Sequence, residues 1–437
     1  MSKLPSTRSE TVFVDAKPGY SPVQALTEAN RCLYCADAPC VQACPTGIDI
    51  PEFIRKIATD NLRGSARTIF DANIFGMSCA RVCPVEVLCV GKCVYNEMDV
   101  PPIQIGKLQR YATDAAFARG DRFFEAGPDT GKKVALLGGG PASLAAAHEL
   151  RRRGHACTIF EQAELLGGLS TTGVAPYKMK ADRALEEVEW VLGIGGVEVR
   201  TGVRIGVDIG VDDLLRDYDA IFVGLGLGAD RLLQLPGGDL SGIRGAVDWI
   251  AEIKTDKAPL DSVRRALVIG GGNTAIDTVR ELRGLGIPEV TLAYRGAEAQ
   301  MSGYVHEWNW AKVDGVRGVF GAQPLEYLGE GGAVTGVRFA KLDAERQPIA
   351  GEELSLEGDL VLLAIGQGRL GALLSETEGI TLERGRLIVD EGGRTGNPKI
   401  FAGGDCANGG KEVVNAVDEG KRAAIAIDTA LCGGEAA

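Results

Sequence analysis

The chain is 437 residues long with a formal net charge of −12, which argues against a nucleic-acid binder and its basic face. Its 45% hydrophobic and 24% charged residues describe a soluble globular protein, and no run of about 18 uncharged apolar residues is present to span a membrane. Such a length exceeds one ordinary core, so two or three domains are expected.

The opening "MSKLPSTRSE" lacks the apolar core and cleavage site of a secretory signal, and the expected location is the cytoplasm. There, clustered cysteines are more often metal ligands or redox groups than disulfides. Eight of the eleven cysteines precede residue 100. Cys32, Cys35, Cys40 and Cys44 form C-x2-C-x4-C-x3-C-P, and Cys79, Cys83, Cys89 and Cys93 form C-x3-C-P-x4-C-x3-C. The bacterial ferredoxin run ends in the same C-x3-C-P, with its fourth cysteine on the other cluster. Zinc more usually brings paired C-x2-C knuckles and histidine, and none of the three histidines lies near these runs. Two 4Fe–4S clusters with crossed ligation are therefore expected. On spacing alone Cys79 is the eighth thiolate.

Between the runs, "IDIPEFIRKIATDNLRGSARTIFDAN" carries apolar residues at helical spacing and predicts helix. "IGKLQRYATDAAFARG" reads as another helix, and "EAGPDTGKK" as a linker. Then "KVALLGGGPASLAAAHELRRRGHACTIFEQ" gives strand, glycine turn, helix and strand, a plan that "RRALVIGGGNTAIDTVRELRGLGIPEVTLAYR" repeats. Such turns present backbone N–H groups to a pyrophosphate at a helix N-terminus. Gly138, Gly140 and Ser143 fill the G-x-G-x-x-G/A slots of the first unit, and Glu161 ends its second strand, placed for a ribose. Gly270, Gly272 and Ala275 fill them in the second, where Arg295 replaces the acid. Two such units call for two nucleotides, FAD and a nicotinamide. Asp405, after a strand and glycine pair in "KIFAGGDC", suits a ribitol hydroxyl.

The expected fold is α/β: two Rossmann-like units with parallel sheets, preceded by an α-helical domain with the clusters. The expected bounds are 1–125 for the iron–sulfur domain, 130–245 with 371–437 for the FAD unit, and 246–370 for the NAD(P) unit. His148 and His155 read as structural, and His306 as packed beside Trp308 and Trp310. No further substrate site is evident, so electrons are expected to leave through the clusters to another chain.

"RCLYCADAPCVQACPTGIDIPEFI", "CARVCPVEVLCVGKC", "PIQIGKLQRYAT", "GGGPAS", "GGLSTT" and "FAGGDC" carry a resemblance over essentially the whole length. The chain resembles the flavin-and-cluster module shared by the glutamate synthase small subunit and the N-terminal half of dihydropyrimidine dehydrogenase, more closely the latter and its separate PreT-type bacterial counterpart. The resemblance implies one cluster on Cys32, Cys35, Cys40 and Cys93. It implies another on Cys44, Cys83, Cys89 and the amide oxygen of Gln109, with Cys79 a spare. Glutamate-synthase-like relatives tend to have Glu in the Gln109 slot, which favours the pyrimidine branch.

By the same resemblance FAD lies along Gly138, Gly139, Gly140, Pro141, Ala142 and Glu161, then Gly168, Leu169, Lys178, Gly404, Asp405 and Val414. The nicotinamide cofactor lies along Gly271, Gly272, Asn273 and Thr274, then Arg295, Ala364, Ile365 and Gly366. NADPH-using relatives have further basic residues after the arginine, where this chain has Gly296 and Ser302 with Glu298 between. NADH is therefore expected, with NADPH the alternative. The implied partner is an FMN- and iron–sulfur-containing subunit that reduces uracil or thymine, in a hetero-oligomer. Rival readings are a glutamate synthase small subunit, a ferredoxin–NAD(P) reductase and, from a different class, a non-enzymatic scaffold with structural clusters.

Overall fold

The computed structural model describes residues 4–368 and 373–433. Up to residue 120 the chain is built from short helices. Pro22–Ala29 opens with a capping box, Gln24 N donating to Ser21 Oγ at 3.3 Å and Ser21 N to Gln24 Oε1 at 2.9 Å, which satisfies donors the first turn would otherwise leave unpaired. The stretch read as helical between the cysteine runs is two helices, Ile50–Ala58 and Leu62–Ala72. Asp60 stands between them at φ 60°, and Asn61 Oδ1 accepts from Gly64 N to start the second. Each helix keeps apolar spacing, but the two stripes lie on roughly opposite faces of one continuous wheel, so the break shows in the phase and not in the composition. Phe53, Ile54, Ile57, Ile69 and Leu108 close this core, with Cys32, Cys40, Cys44 and Cys89 packed against it.

Among the described residues, residues 8–16 pair with these helices only through Asp15, which meets Arg110. They run as a strap over the later units: Ser9 N donates to Asp256 O, Ala16 N to Tyr177 O, and Phe13 packs on Ala175, Tyr177 and Leu285. Glu10 is fully buried, takes Ala181 N at 3.1 Å and pairs with Arg8 at 2.7 Å.

Two parallel five-stranded sheets follow, in line with the expected α/β class. The first runs Ile400–Ala402, Ala220–Val223, Lys133–Leu137, Ala156–Glu161, Val197–Thr201, so its edge strand returns from far along the chain. The second runs Ile243–Gly245, Leu360–Leu363, Arg265–Ile269, Glu289–Tyr294, Arg317–Phe320. Its first strand lies just before the boundary expected at 246, and the boundary expected at 370 and 371 falls outside the described residues.

Parallel sheets are not the whole of this part. Ala322–Glu330, Ala333–Leu342 and Pro348–Glu357 form an antiparallel three-stranded sheet. Its first turn is Gly331–Gly332, at φ 60° and 83°, the positive pair that a two-residue hairpin turn demands. Finally, helix Val413–Cys432 packs on Pro141–Arg152 so closely that a Cβ at Gly420 would lie 2.1 Å from Ala142 O.

Candidate functional site

Three cavities meet in this architecture. The first, about 410 Å³, opens at the C-terminal edge of the first sheet, where a doubly wound fold binds its ligand. Strand Lys133–Leu137 ends in Gly138 at φ 93°, where a Cβ would strike Gly224 O at 2.5 Å, whereas a Cβ on Gly140 would meet no atom within 4 Å. The glycine turn therefore leaves open space in front of helix Pro141–Arg152. Gly139 N donates to Glu161 Oε2 at 2.6 Å and Ala163 N to Oε1 at 2.8 Å, which fixes the carboxylate at the strand end with lone pairs to spare for a diol. Asp405 begins a short helix on the opposite side; burial raises its carboxyl, partly opposed by the hydrogen bond from Lys411 N.

Gly138, Gly140, Pro141, Ala142, Glu161, Gly168, Leu169, Lys178, Gly404 and Asp405 all line this cavity. Val414 does not. It is buried and faces the second cysteine cavity, while its neighbour Val413 lines the flavin-sized one, because successive helical residues point about 100° apart. Open glycine turn, ribose-facing acid and buried second acid together fit a flavin dinucleotide.

Asp277, Tyr304, Glu307 and Glu412 also line the cavity, and sequence reading missed all four. Lys178 Nζ sits 2.8 Å from Asp277 Oδ1 and 2.8 Å from Glu307 Oε1. Burial disfavours this ammonium, but the two carboxylates outweigh it and hold its pKa above the ordinary lysine range. Tyr304 Oη donates to Glu412 Oε1 at 2.6 Å, bridging the second unit to the first. No local pattern signals these pairs, since their partners lie about a hundred residues apart.

The residues expected to hold the nicotinamide cofactor gather at the C-terminal edge of the second sheet. Gly270 stands at φ 155°, where a Cβ would meet Ala364 O at 2.3 Å. Gly271 lies against Tyr294, and a Cβ on Gly272 would meet only Ser302 Oγ, at 3.5 Å. Gly366 also faces open space. Of this set Asn273 reaches the flavin-sized cavity, and Thr274 follows it in helix Asn273–Gly284. Ala364 and Ile365 follow the strand Leu360–Leu363. Arg295 is exposed, and Glu298 is drawn away by Trp308 Nε1 and Lys312 Nζ, both at 2.8 Å. Arg346 reaches back to Gln300 Oε1 at 3.0 Å, a second guanidinium near this loop that only the antiparallel sheet brings there.

The cysteines divide between two smaller cavities. Cys32, Cys35, Cys40 and Cys93 line one. Cys44, Cys83, Cys89, Cys79 and Gln109 line the other. No disulfide is present. Burial, reinforced by neighbouring thiols, pushes Cys40 and Cys89 up to about 12, so thiolates gathered here call for a polycation, and four thiolates per cubane suits the first cavity. At the second, Gln109 Nε2 donates to Gly76 O at 2.7 Å. A carbonyl only accepts, so the amide nitrogen faces Gly76 and the amide oxygen is left for the cavity. Cys79 is also present there, and geometry alone does not rank it against Gln109.

None of the histidines lines these three cavities. Burial pushes His148 down to about 3, and His155 Nε2 lies 2.9 Å from Asp428 Oδ1. His306 stacks on Tyr304 and meets the edge of Trp310, whereas Trp308 turns to Phe320. Among the described residues no helix is long and apolar enough to cross a membrane.

Comparison with known proteins agrees with this layout. Residues 8–121 match the family model of dihydropyrimidine dehydrogenase domain II, 4Fe-4S cluster, and residues 132–420 that of pyridine nucleotide-disulphide oxidoreductase. The chain is 34% identical to the small chain of the NADPH glutamate synthase of Escherichia coli K12, over 97% of this chain and 95% of that one. It is 33% identical to the NAD-dependent dihydropyrimidine dehydrogenase subunit PreT of Salmonella typhimurium LT2, over 94% and 95%. The structure of Mycobacterium tuberculosis FprA in complex with NADPH shares the fold, with a TM-score of 0.55 at 21% identity over 69% of this chain and 85% of that one. The chain belongs to the glutamate synthase small-chain and PreT family, electron-transfer flavoproteins that use FAD, NAD(P) and 4Fe–4S clusters.

Proposed function

We propose that the chain is the electron-input subunit of a dihydropyrimidine dehydrogenase. In this reading NADH supplies hydride to FAD, and two 4Fe–4S clusters pass the electrons to a partner subunit carrying FMN and iron–sulfur clusters, which reduces uracil or thymine to the 5,6-dihydro base. A bound flavin accepts two electrons as hydride and gives them up singly, which is the chemistry that joins a nicotinamide to one-electron clusters.

The observation that carries the relay is a set of shared walls. Val82 and Pro84 line the flavin cavity on either side of Cys83, which lines the second cysteine cavity. Ile50 in turn belongs to both cysteine cavities. Leu33, between Cys32 and Cys35, is 51% exposed, so the far end of this series lies at the surface, where a partner would dock. The residues have separable tasks. Helix Pro141–Arg152 offers unpaired N–H groups to a pyrophosphate. Lys178, fixed by Asp277 and Glu307, supplies a preorganised positive charge that favours the more anionic, reduced cofactor. Cys32, Cys35, Cys40 and Cys93 would hold one cluster, and Cys44, Cys83, Cys89 and Gln109 the other. A single Arg295, without basic reinforcement at Gly296 or Ser302, favours NADH.

Anaerobic addition of NADH to the purified chain should bleach the flavin and raise the EPR signals of reduced clusters. Adding a pyrimidine-reducing FMN subunit should then give NADH-dependent loss of uracil. A glutamate synthase small chain is the second reading, favoured by an identity as high as that to PreT. Electron delivery to a glutamate synthase large subunit, with none to the pyrimidine-reducing one, would select it.

A further inference from the structure

Electrons and protons must part company in this molecule. Hydride brings two electrons and one proton into the flavin cavity: NADH + FAD → NAD+ + FADH−. Clusters take electrons alone, so FADH− → FAD + H+ + 2e−, each electron reducing one cluster from the 2+ to the 1+ state. One proton per NADH is therefore set free in the cavity and needs an acceptor there.

Five carboxylates line the cavity. Glu161 is occupied at both oxygens by Gly139 N and Ala163 N. Asp277 is held by Tyr177 Oη and Lys178. Glu412 receives Tyr304 Oη and Asp405 receives Lys411 N. Glu307 differs. It is 5% exposed, its Oε1 takes Lys178 Nζ at 2.8 Å, and its Oε2 is buried with no hydrogen-bond partner. An oxygen with no donor in place accepts a proton without displacing any existing hydrogen bond, and an unpaired buried acceptor is otherwise costly.

We infer that Glu307 is the proton acceptor of the flavin site. The proton left when the electrons depart adds to the unpartnered Oε2, while Lys178 stays protonated and paired at Oε1. The carboxylate becomes a carboxylic acid as the reduced cofactor gives up its proton, and Lys178 keeps its charge, so charge and protons balance. Glu307 then returns the proton to solvent before the next hydride arrives. Facing it are Lys178, Tyr177, Asp277, Tyr304 and Glu412, and of these only Lys178 is a cation. This assignment rests on the electron-input reading.

The test uses the full chain loaded with FAD and clusters, mixed with NADH without oxygen in weak buffer containing a pH-indicator dye. Glu307→Gln should slow cluster reduction and appearance of the proton at least about tenfold more than it slows flavin bleaching. Reaction-induced infrared difference spectra should show a protonated-carboxyl band in the wild type that is missing in Glu307→Gln. Glu307→Asp, shorter but still ionisable, should recover part of the proton release. Wild-type kinetics and an unchanged carboxyl band in Glu307→Gln would overturn the assignment. So would equal slowing of hydride transfer and cluster reduction without recovery in Glu307→Asp, which is the pattern of a lost Lys178 clasp alone. A wild-type chain whose flavin is not bleached by NADH would bring down the electron-input reading itself, and the role of Glu307 with it.

Discussion

Replacing Gly420 by alanine probes the flavin cavity from behind. A Cβ there would stand 2.1 Å from Ala142 O and 2.9 Å from Ala142 C, about 1.3 Å short of ordinary contact at 3.4 Å. The obstacle is main chain in the first turn of helix Pro141–Arg152, the turn whose N–H groups face the cavity. No rotamer change relieves it; one helix must shift. Alanine gains roughly 1 kcal/mol over glycine inside a helix, while overpacking costs about 1–3 kcal/mol. The net loss, up to about 2 kcal/mol, falls on the turn that would bind the pyrophosphate and corresponds to FAD affinity lower by up to roughly 30-fold. Titrating FAD into apoprotein, followed by flavin fluorescence, measures it. Ala142→Gly should not rescue the variant, because the clash is with the carbonyl rather than the side chain. Wild-type FAD affinity in Gly420→Ala would show that the two helices separate without cost and that their close approach has no bearing on the cavity.

Cys93→Ser and Cys44→Ser should each remove about half of an iron content near eight atoms per chain, and Gln109→Ala should cost one cluster while Cys79→Ala keeps both; the reverse pattern, read from iron analysis and EPR, would restore Cys79 as the eighth ligand. With NADH the kcat/KM for dye reduction should exceed that with NADPH by at least about tenfold, ~1.4 kcal/mol, and Ser302→Arg should narrow the gap; a wild-type preference for NADPH would refute it and direct attention to Arg346. Burial raises Glu187 to about 7, against hydrogen bonds from Ser78 and Met77, above its ordinary value of 4.5. Its stabilising contribution is thus complete below pH 4.5 and lost as pH rises to 7, roughly 3 kcal/mol in all. Glu187→Gln should flatten that slope in urea midpoints, and parallel slopes for the two proteins would contradict it.

What could be read from the chain beforehand was chemistry packed into short windows. The glycine turns at Gly138 and Gly270 need neighbouring residues alone to announce themselves, and so do the cysteine runs. The helix break at Asp60 is legible only in phase, since the apolar residues swing to roughly the opposite face of one helical wheel between Ile57 and Ala66. The antiparallel sheet could have been suspected from Gly331–Gly332 between alternating strands, but the surrounding β–α rhythm masked it. Val414 and Val413 exchange places through the phase of one helix, which depends on where Val413–Cys432 starts. Lys178, Asp277 and Glu307 meet only because two separately folded sheets press together. A pair separated by about a hundred residues leaves no period to detect.

The strap of residues 8–16 bears on how the protein is made. Its docking residues include Ala181, Asp256 and Leu285, so apart from the Asp15–Arg110 pair the segment cannot dock in full until Leu285 has followed it. At ~5–20 residues per second that interval is roughly 15–55 s. All eight clustered cysteines are out long before, which gives metal insertion an unclamped window. Until the strap closes, Phe13 is an uncovered apolar residue on a loose N-terminal tail, the kind of signal by which chaperones and proteases sort unfinished chains from finished ones. Closure of the strap is thus a record that synthesis has passed Leu285, within the nicotinamide unit.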